Sequence, residues 1–151
     1  MTNDHSIAAS TGFLLSKIGQ TTTNLFAEKL APLGLRPKHC GLLAAVAGLP
    51  SASQQDLGSA MSLVPSAIVS IIDDLETARA IRRTQDVVDR RRHSIELTEK
   101  GRSLLKRVSK LAHEVDDQVL ASLSAAERAA LHSILVRVAL DAGILQGDQQ
   151  G

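Results

Sequence analysis

Four aliphatic residues, Ile68, Ile71, Ile72 and Leu75, recur at spacings of i, i+3, i+4 and i+7 directly behind Pro65. That period belongs to an α-helix with one buried face. Pro65 suits the first position of such a helix, where its missing N–H costs no hydrogen bond. The opposite face carries Ser66, Val69, Ser70 and Asp73. A shorter helix is expected just upstream. Ser53 can cap it, Asp56 stands three residues on in capping-box spacing, and Leu57, Ala60 and Met61 supply an apolar stripe. Ser62-Leu63-Val64 makes the turn between the two, and the second helix extends to about Arg79.

Beyond Arg79 the chain reads as strands rather than helix. Ala80 to Thr84 and His93 to Leu97 are short runs separated by a polar loop, and Ile95 and Leu97 fall on one face by period-two alternation. The loop, Gln85 to Arg92, holds Asp86, Asp89 and three consecutive arginines. Between Arg79 and Arg92 there are six Arg and two Asp, a local charge of +4 in a chain whose total is +1. A helix, a tight turn, a second helix and then an arginine-tipped hairpin form the layout of a winged helix-turn-helix, a unit that reads double-stranded DNA.

The expected roles divide by position. The start of the second helix, Pro65, Ser66, Val69 and Ser70, is placed to enter a major groove through hydroxyl and methyl contacts. Arg91, positioned by Asp89, suits a narrow minor groove, Arg90 and Arg92 suit phosphates, and Arg82 on the first strand is a further candidate for DNA contact. Ser53 and Gln54, at a helix N-terminus, are expected to hold a phosphate.

The segment resembles the MarR family of bacterial transcription regulators. Asp89-Arg90-Arg91, then Ile95, then Leu97-Thr98-Glu99-Lys100-Gly101 is similar to the family's D-x-R wing motif followed by its L-T-x-x-G helix entry. Ile72-Asp73-Asp74-Leu75-Glu76 followed by Ile81-Arg82-Arg83 resembles the end of its recognition helix and its first wing strand. Leu30-Ala31-Pro32-Leu33-Gly34-Leu35-Arg36-Pro37-Lys38-His39 resembles the bend between its first two helices. The resemblance covers nearly the whole chain. It departs in one respect: family members often carry Arg or Lys on the groove face of the recognition helix, where this chain has Pro65, Ser66, Ala67, Val69 and Ser70.

With 151 residues, the chain has the size of a single domain, expected over 1–151. It has no Trp, no Tyr and only Phe13 and Phe26, so its core must be Leu, Val, Ile and Ala packed between helices. The fold class expected is mainly α, with a small β-hairpin. A pI near 8.0 makes the basic character local rather than global. One cysteine, Cys40, allows no internal disulfide. Together with the absence of a signal peptide pattern or an 18-residue apolar run, this points to the cytoplasm and away from a membrane.

In chain order, residues 1–5 are expected to fray and a long helix to run from about Ser6 to Leu30. A second helix is expected over Lys38 to Ala47, and Ser51-Ala52 as a very short third strand. Thr98 caps a long helix to about Ala121, with a stripe of Leu104, Val108, Leu111, Val115 and Val119. Ser124 and Glu127 open the last helix, whose face is Leu131, Ile134, Leu135 and Val138 and which Gly143 ends, before a polar tail from Gly147. The helices over 6–35 and 98–145 exceed what a lobe of residues 36–97 needs for support. Their stripes imply burial against a second copy, a homodimer whose two wings meet half-sites roughly 34 Å apart.

No glycine-rich phosphate loop, H-E-x-x-H or G-x-S-x-G is present, so no enzyme, cofactor or catalytic residue is expected. His5, His39, His93, His113 and His132 are scattered, and no metal is expected. The resemblance implies a pocket for a small aromatic or anionic effector near Phe13, Lys17, His39 and Cys40, with Lys17 and His39 facing a carboxylate. Two alternatives stand beside a ligand-responsive repressor. One is a redox-sensing thiol at Cys40, its pKa lowered by the start of the second helix. The other is an interaction module of the same fold without operator binding, suggested by the uncharged recognition helix.

Overall fold

The computed structural model describes residues 7 and 10–145; the expected frayed start and polar tail lie outside them. Two compact units are present, Met1–Val115 and Asp116–Gly151. The first holds α1 (Thr11–Leu30), a single 3-10 turn (Ala31–Leu33), α2 (Pro37–Gly48), α3 (Gln54–Ala60), α4 (Pro65–Thr77), β1 (Ile81–Gln85), β2 (His93–Leu97) and most of α5 (Glu99–Val119). The second holds the end of α5 and α6 (Ala125–Asp141). The mainly helical class with one antiparallel hairpin is as expected from the sequence.

Local signals set the element ends. The Ser53 hydroxyl accepts from the Asp56 N–H at 3.1 Å, and the Asp56 carboxylate accepts from the Ser53 N–H at 2.8 Å, completing the capping box of α3. Ser124 and Glu127 repeat it at α6, at 3.3 and 2.7 Å. Pro37 and Pro65 open α2 and α4. The turn between α3 and α4 places Ser62 at φ +52°, with the Leu63 N–H on the Gly58 carbonyl at 2.9 Å and the Ser62 N–H on the Ser59 carbonyl at 3.1 Å. Two such reversed bonds around a left-handed residue satisfy the last carbonyls of a helix, a place where glycine is usual. The first helix starts at Thr11, later than Ser6, because Ser10 caps it through the Phe13 N–H.

The core lies in the first unit. Ile68, Ile71, Ile72 and Leu75 are at most 3% exposed and pack with Leu30, Leu42, Leu43, Leu57 and Ile95. Burying each aliphatic side chain contributes about 2 kcal/mol. The hairpin register pairs Ile81 with Leu97 and Arg83 with Ile95. The expected strand at Ser51-Ala52 is absent. One hydrogen bond, from the Ile95 N–H to the Ala52 carbonyl at 2.9 Å, ties that segment to β2, since Ser51 at φ +59° leaves the extended region.

Outside the core, α1 and α6 keep apolar faces in solvent. Leu14 and Ile18 on α1 are 49% and 50% exposed, Ile134 and Val138 on α6 are each 48% exposed, and no residue of α6 is buried.

Candidate nucleic-acid interface

The exposed face of α4 carries Pro65, Ser66, Val69, Ser70 and Asp73, as its period requires. Its acidic end is neutralised. Arg83 on β1 reaches Glu76 and, at 3.4 Å, Asp73, so the hairpin is bonded to the helix it accompanies. Asp74 accepts from Arg36 at 3.2 Å and from the His39 ring at 2.9 Å. The His39 bond, then Arg36, holds the Asp74 carboxyl below its ordinary value.

Carboxylates shape the wing tip. Asp86 accepts from the Val88 and Asp89 N–H groups, which pull its pKa down. Asp89 accepts from the Arg91 N–H at 3.0 Å, and Gln85 donates to the Arg90 carbonyl at 2.7 Å. Asp89 therefore positions Arg91 through its backbone, and the guanidinium stays in solvent. A cleft of about 650 Å³ lies between this tip and α3, lined by Ser53, Gln54, Asp56, Arg83, Arg91 and Arg92 among others.

These contacts place the other expected site residues. Ser53 and Gln54 both line the cleft at the start of α3. The Asp56 carboxylate already takes the Ser53 N–H and hydroxyl, and Arg92 lies on it at 2.9 Å. The Ser53 bonds, then Arg92, keep Asp56 ionised by lowering its pKa. Arg82 lies on the other face of β1. Strand alternation turns it away from Arg83, onto Glu96 at 3.2 Å and into a separate cavity.

Of Phe13, Lys17, His39 and Cys40, His39 lines a small cavity of about 220 Å³ with Leu35, Asp74 and Lys100, and none of the four lines the cavities of about 960 and 650 Å³. Lys17 lies 5.5 Å from the Phe13 ring centre on exposed α1. His39 is 4% exposed and spends both nitrogens internally. Nδ1 accepts from the Arg36 N–H at 2.9 Å, which leaves Nε2 to donate to Asp74. Cys40 is buried, and desolvation pushes its thiol from 9.0 up to about 11, outweighing the helix start that was expected to lower it.

Sequence reasoning missed the larger cavity, about 960 Å³, between the end of α2, the hairpin and α5. Arg102, Lys106 and Lys110 line it at i, i+4 and i+8. The signal was available: from Lys100 to His113 there are five Lys or Arg and no Asp or Glu.

Residues 33–92 match the MarR family, a stretch that runs from α2 through the helix-turn-helix and β1 to the tip of the wing. A transcriptional regulatory protein for the hcr operon of Thauera aromatica is 32% identical over 134 residues, covering 88% of this chain and 81% of that one. The chain belongs to the MarR family. It is a winged helix-turn-helix transcriptional regulator of that family. The HTH-type transcriptional repressor Rv2887 of Mycobacterium tuberculosis is 29% identical, with 88% of this chain and 96% of that one covered. Its crystal structure with DNA superposes with a TM-score of 0.77, covering 86% of this chain and 98% of that one. The same protein has been crystallised with salicylic acid, at a TM-score of 0.72 and 29% identity over 86% of this chain and 96% of that one. CouR from Rhodococcus jostii RHA1, bound to p-coumaroyl-CoA, has a TM-score of 0.77 at 25% identity, covering 91% of this chain and 95% of that one. No single helix among the described residues is long and apolar enough to cross a membrane.

Proposed function

We propose that this MarR-family regulator acts in the cytoplasm as a homodimeric, non-catalytic repressor that reads double-stranded DNA and releases it when a small effector binds. The observation that carries the reading is Arg83. It bonds the wing to α4 through Asp73 and Glu76, so that the groove face of α4 and the wing arginines move as one reading head. In this reading Pro65, Ser66, Val69 and Ser70 enter the major groove, Arg91 enters the minor groove, and Arg90 and Arg92 neutralise phosphates. For Arg92 this means exchanging Asp56 for a phosphate, a swap of one anion for another.

The apolar faces of α1 and α6, half-exposed in one chain, support dimerisation through residues 6–35 and 98–145, leaving 36–97 as the DNA lobe. The DNA and salicylic acid complexes of Rv2887 support both halves of the proposal.

Fluorescence anisotropy on DNA from upstream of the protein's own gene, against scrambled DNA across a salt series, tests it. A clear preference for the upstream fragment is expected. Equal, steeply salt-dependent affinity for both would leave phosphate contacts without readout and sink the operator-reading assignment.

A further inference from the structure

We propose that His39 is a positioning residue for DNA reading: the hydrogen bond from its Nε2–H to Asp74 fixes the roll of α4 about its own axis, and so sets which side chains of α4 meet the base edges. The inference rests on the DNA-reading half of the proposed function and gives that reading a residue outside the contact surface.

Apolar packing under α4 leaves its roll weakly defined. Ile68, Ile71, Ile72 and Leu75 bury one face, and hydrophobic attraction is non-directional. At about 100° per residue, Ser66 stands in the middle of the opposite face, with Asp74 about 80° to one side and Glu76 about 80° to the other. Directional bonds hold both flanks. Arg83 of the hairpin takes Glu76 and Asp73, and on the other side His39 and Arg36 take Asp74 at 2.9 and 3.2 Å. A roll of about 20° would carry a side-chain tip about 2 Å sideways, enough to lose a hydrogen bond to a base edge.

His39 is the stiff partner on its flank. The Arg36 side chain is 64% exposed, and ion pairs between long exposed side chains hold little. The His39 side chain is 5% exposed and sits among Leu35 and Leu75 beside the small cavity. Its Nδ1 accepts from the Arg36 N–H at 2.9 Å, which places the ring proton on Nε2, facing Asp74. The start of α2 thereby selects the tautomer that grips α4.

Anisotropy titrations of the full-length protein on DNA from upstream of its own gene and on scrambled DNA test the proposal. Glutamine keeps a donor where Nε2 stands, and asparagine keeps an acceptor where Nδ1 stands. His39→Gln is therefore expected to hold the preference for the upstream fragment within about twofold. His39→Asn is expected to lose about tenfold in that preference. Its affinity for scrambled DNA and the salt dependence should not change, because phosphate contacts carry no sequence information. Asp74, half-exposed, carries the same test without disturbing the core. Asp74→Ala should lose the preference as His39→Asn does, and Asp74→Asn, which retains an acceptor, should keep it. The His39→Asn/Asp74→Ala protein should be no worse than either single variant, since all three lack the same bond.

An undiminished preference in His39→Asn or Asp74→Ala, equal losses in His39→Gln and His39→Asn, or additive losses in the double variant would each overturn the assignment. So would a parallel fall in affinity for scrambled DNA, which a merely structural role produces. An unaltered protein with no preference for the upstream fragment would sink operator reading itself and this role with it, so the two failures are distinguishable.

Discussion

The carbonyl oxygen of Ala80 lies 1.9 Å from the point where a β-carbon on residue 101 would stand, so at position 101 only glycine lets α5 pass the end of α4. Thr98 closes the same junction. Its N–H donates to the Ala80 carbonyl at 3.0 Å, and its hydroxyl donates to the Arg79 carbonyl at 2.7 Å and accepts from the Gly101 N–H at 3.0 Å. Gly101→Ala must push two backbones apart and is expected to cost about 3 kcal/mol in urea unfolding. A loss below about 0.5 kcal/mol would show that the junction yields, contrary to its close packing.

Arg82 and Arg91 should separate cleanly in DNA binding. Arg91→Ala removes an exposed cation from the wing and is expected to weaken DNA binding by about tenfold or more. Arg82→Ala, on the cavity side, should leave that affinity within about twofold, as expected for a residue outside the contact surface. Equal losses in anisotropy would mean that Arg82 reaches DNA and that the two faces of β1 are not divided in this way.

Acid should unfold the protein through carboxylates held below their ordinary values. Asp74 is lowered chiefly by its His39 bond, Asp86 by the Val88 and Asp89 N–H groups, and Glu127 by Ser124. A group whose folded pKa is depressed binds protons less readily folded than unfolded. The stability it contributes is therefore complete above the unfolded value, 3.8 for aspartate, and is lost as pH falls through the lower folded value. Chemical denaturation between pH 5 and pH 2 (about the range where these groups protonate) should show this decline, and Asp74→Asn should make it shallower. A variant with an unchanged acid limb would mean that Asp74 contributes nothing to it.

Cys40 should be inert in the native state. With its thiol raised to about 11, roughly one molecule in a thousand carries a thiolate at pH 8. Labelling by a disulfide reagent should therefore be slow until urea is added, and peroxide should leave DNA affinity unchanged. Rapid stoichiometric labelling of the folded protein would revive the redox reading.

Much of this was legible in the chain because it is local. The period of Ile68 to Leu75, the proline starts of α2 and α4, the capping boxes at Ser53 and Ser124 and the alternation of β2 each depend on residues within a few positions of one another. The site was less legible, because charge pairing is not local. Asp56 and Arg92 are 36 positions apart, as Arg36 and Asp74 are 38, and no sequence pattern announces either bond.

Sequence therefore determined the elements, their order and the arginine-rich wing, since short-range hydrogen bonds and hydrophobic periodicity are written in neighbouring residues. Tertiary structure decided which way the side chains of those elements work. It sent Arg82 to a cavity and Arg83 to a helix, buried His39 between Arg36 and Asp74, raised the Cys40 thiol by desolvation, and made Gly101 obligatory beside Ala80. Each of those outcomes depends on what long-range packing brings within a few ångströms, and only the folded chain sets that distance.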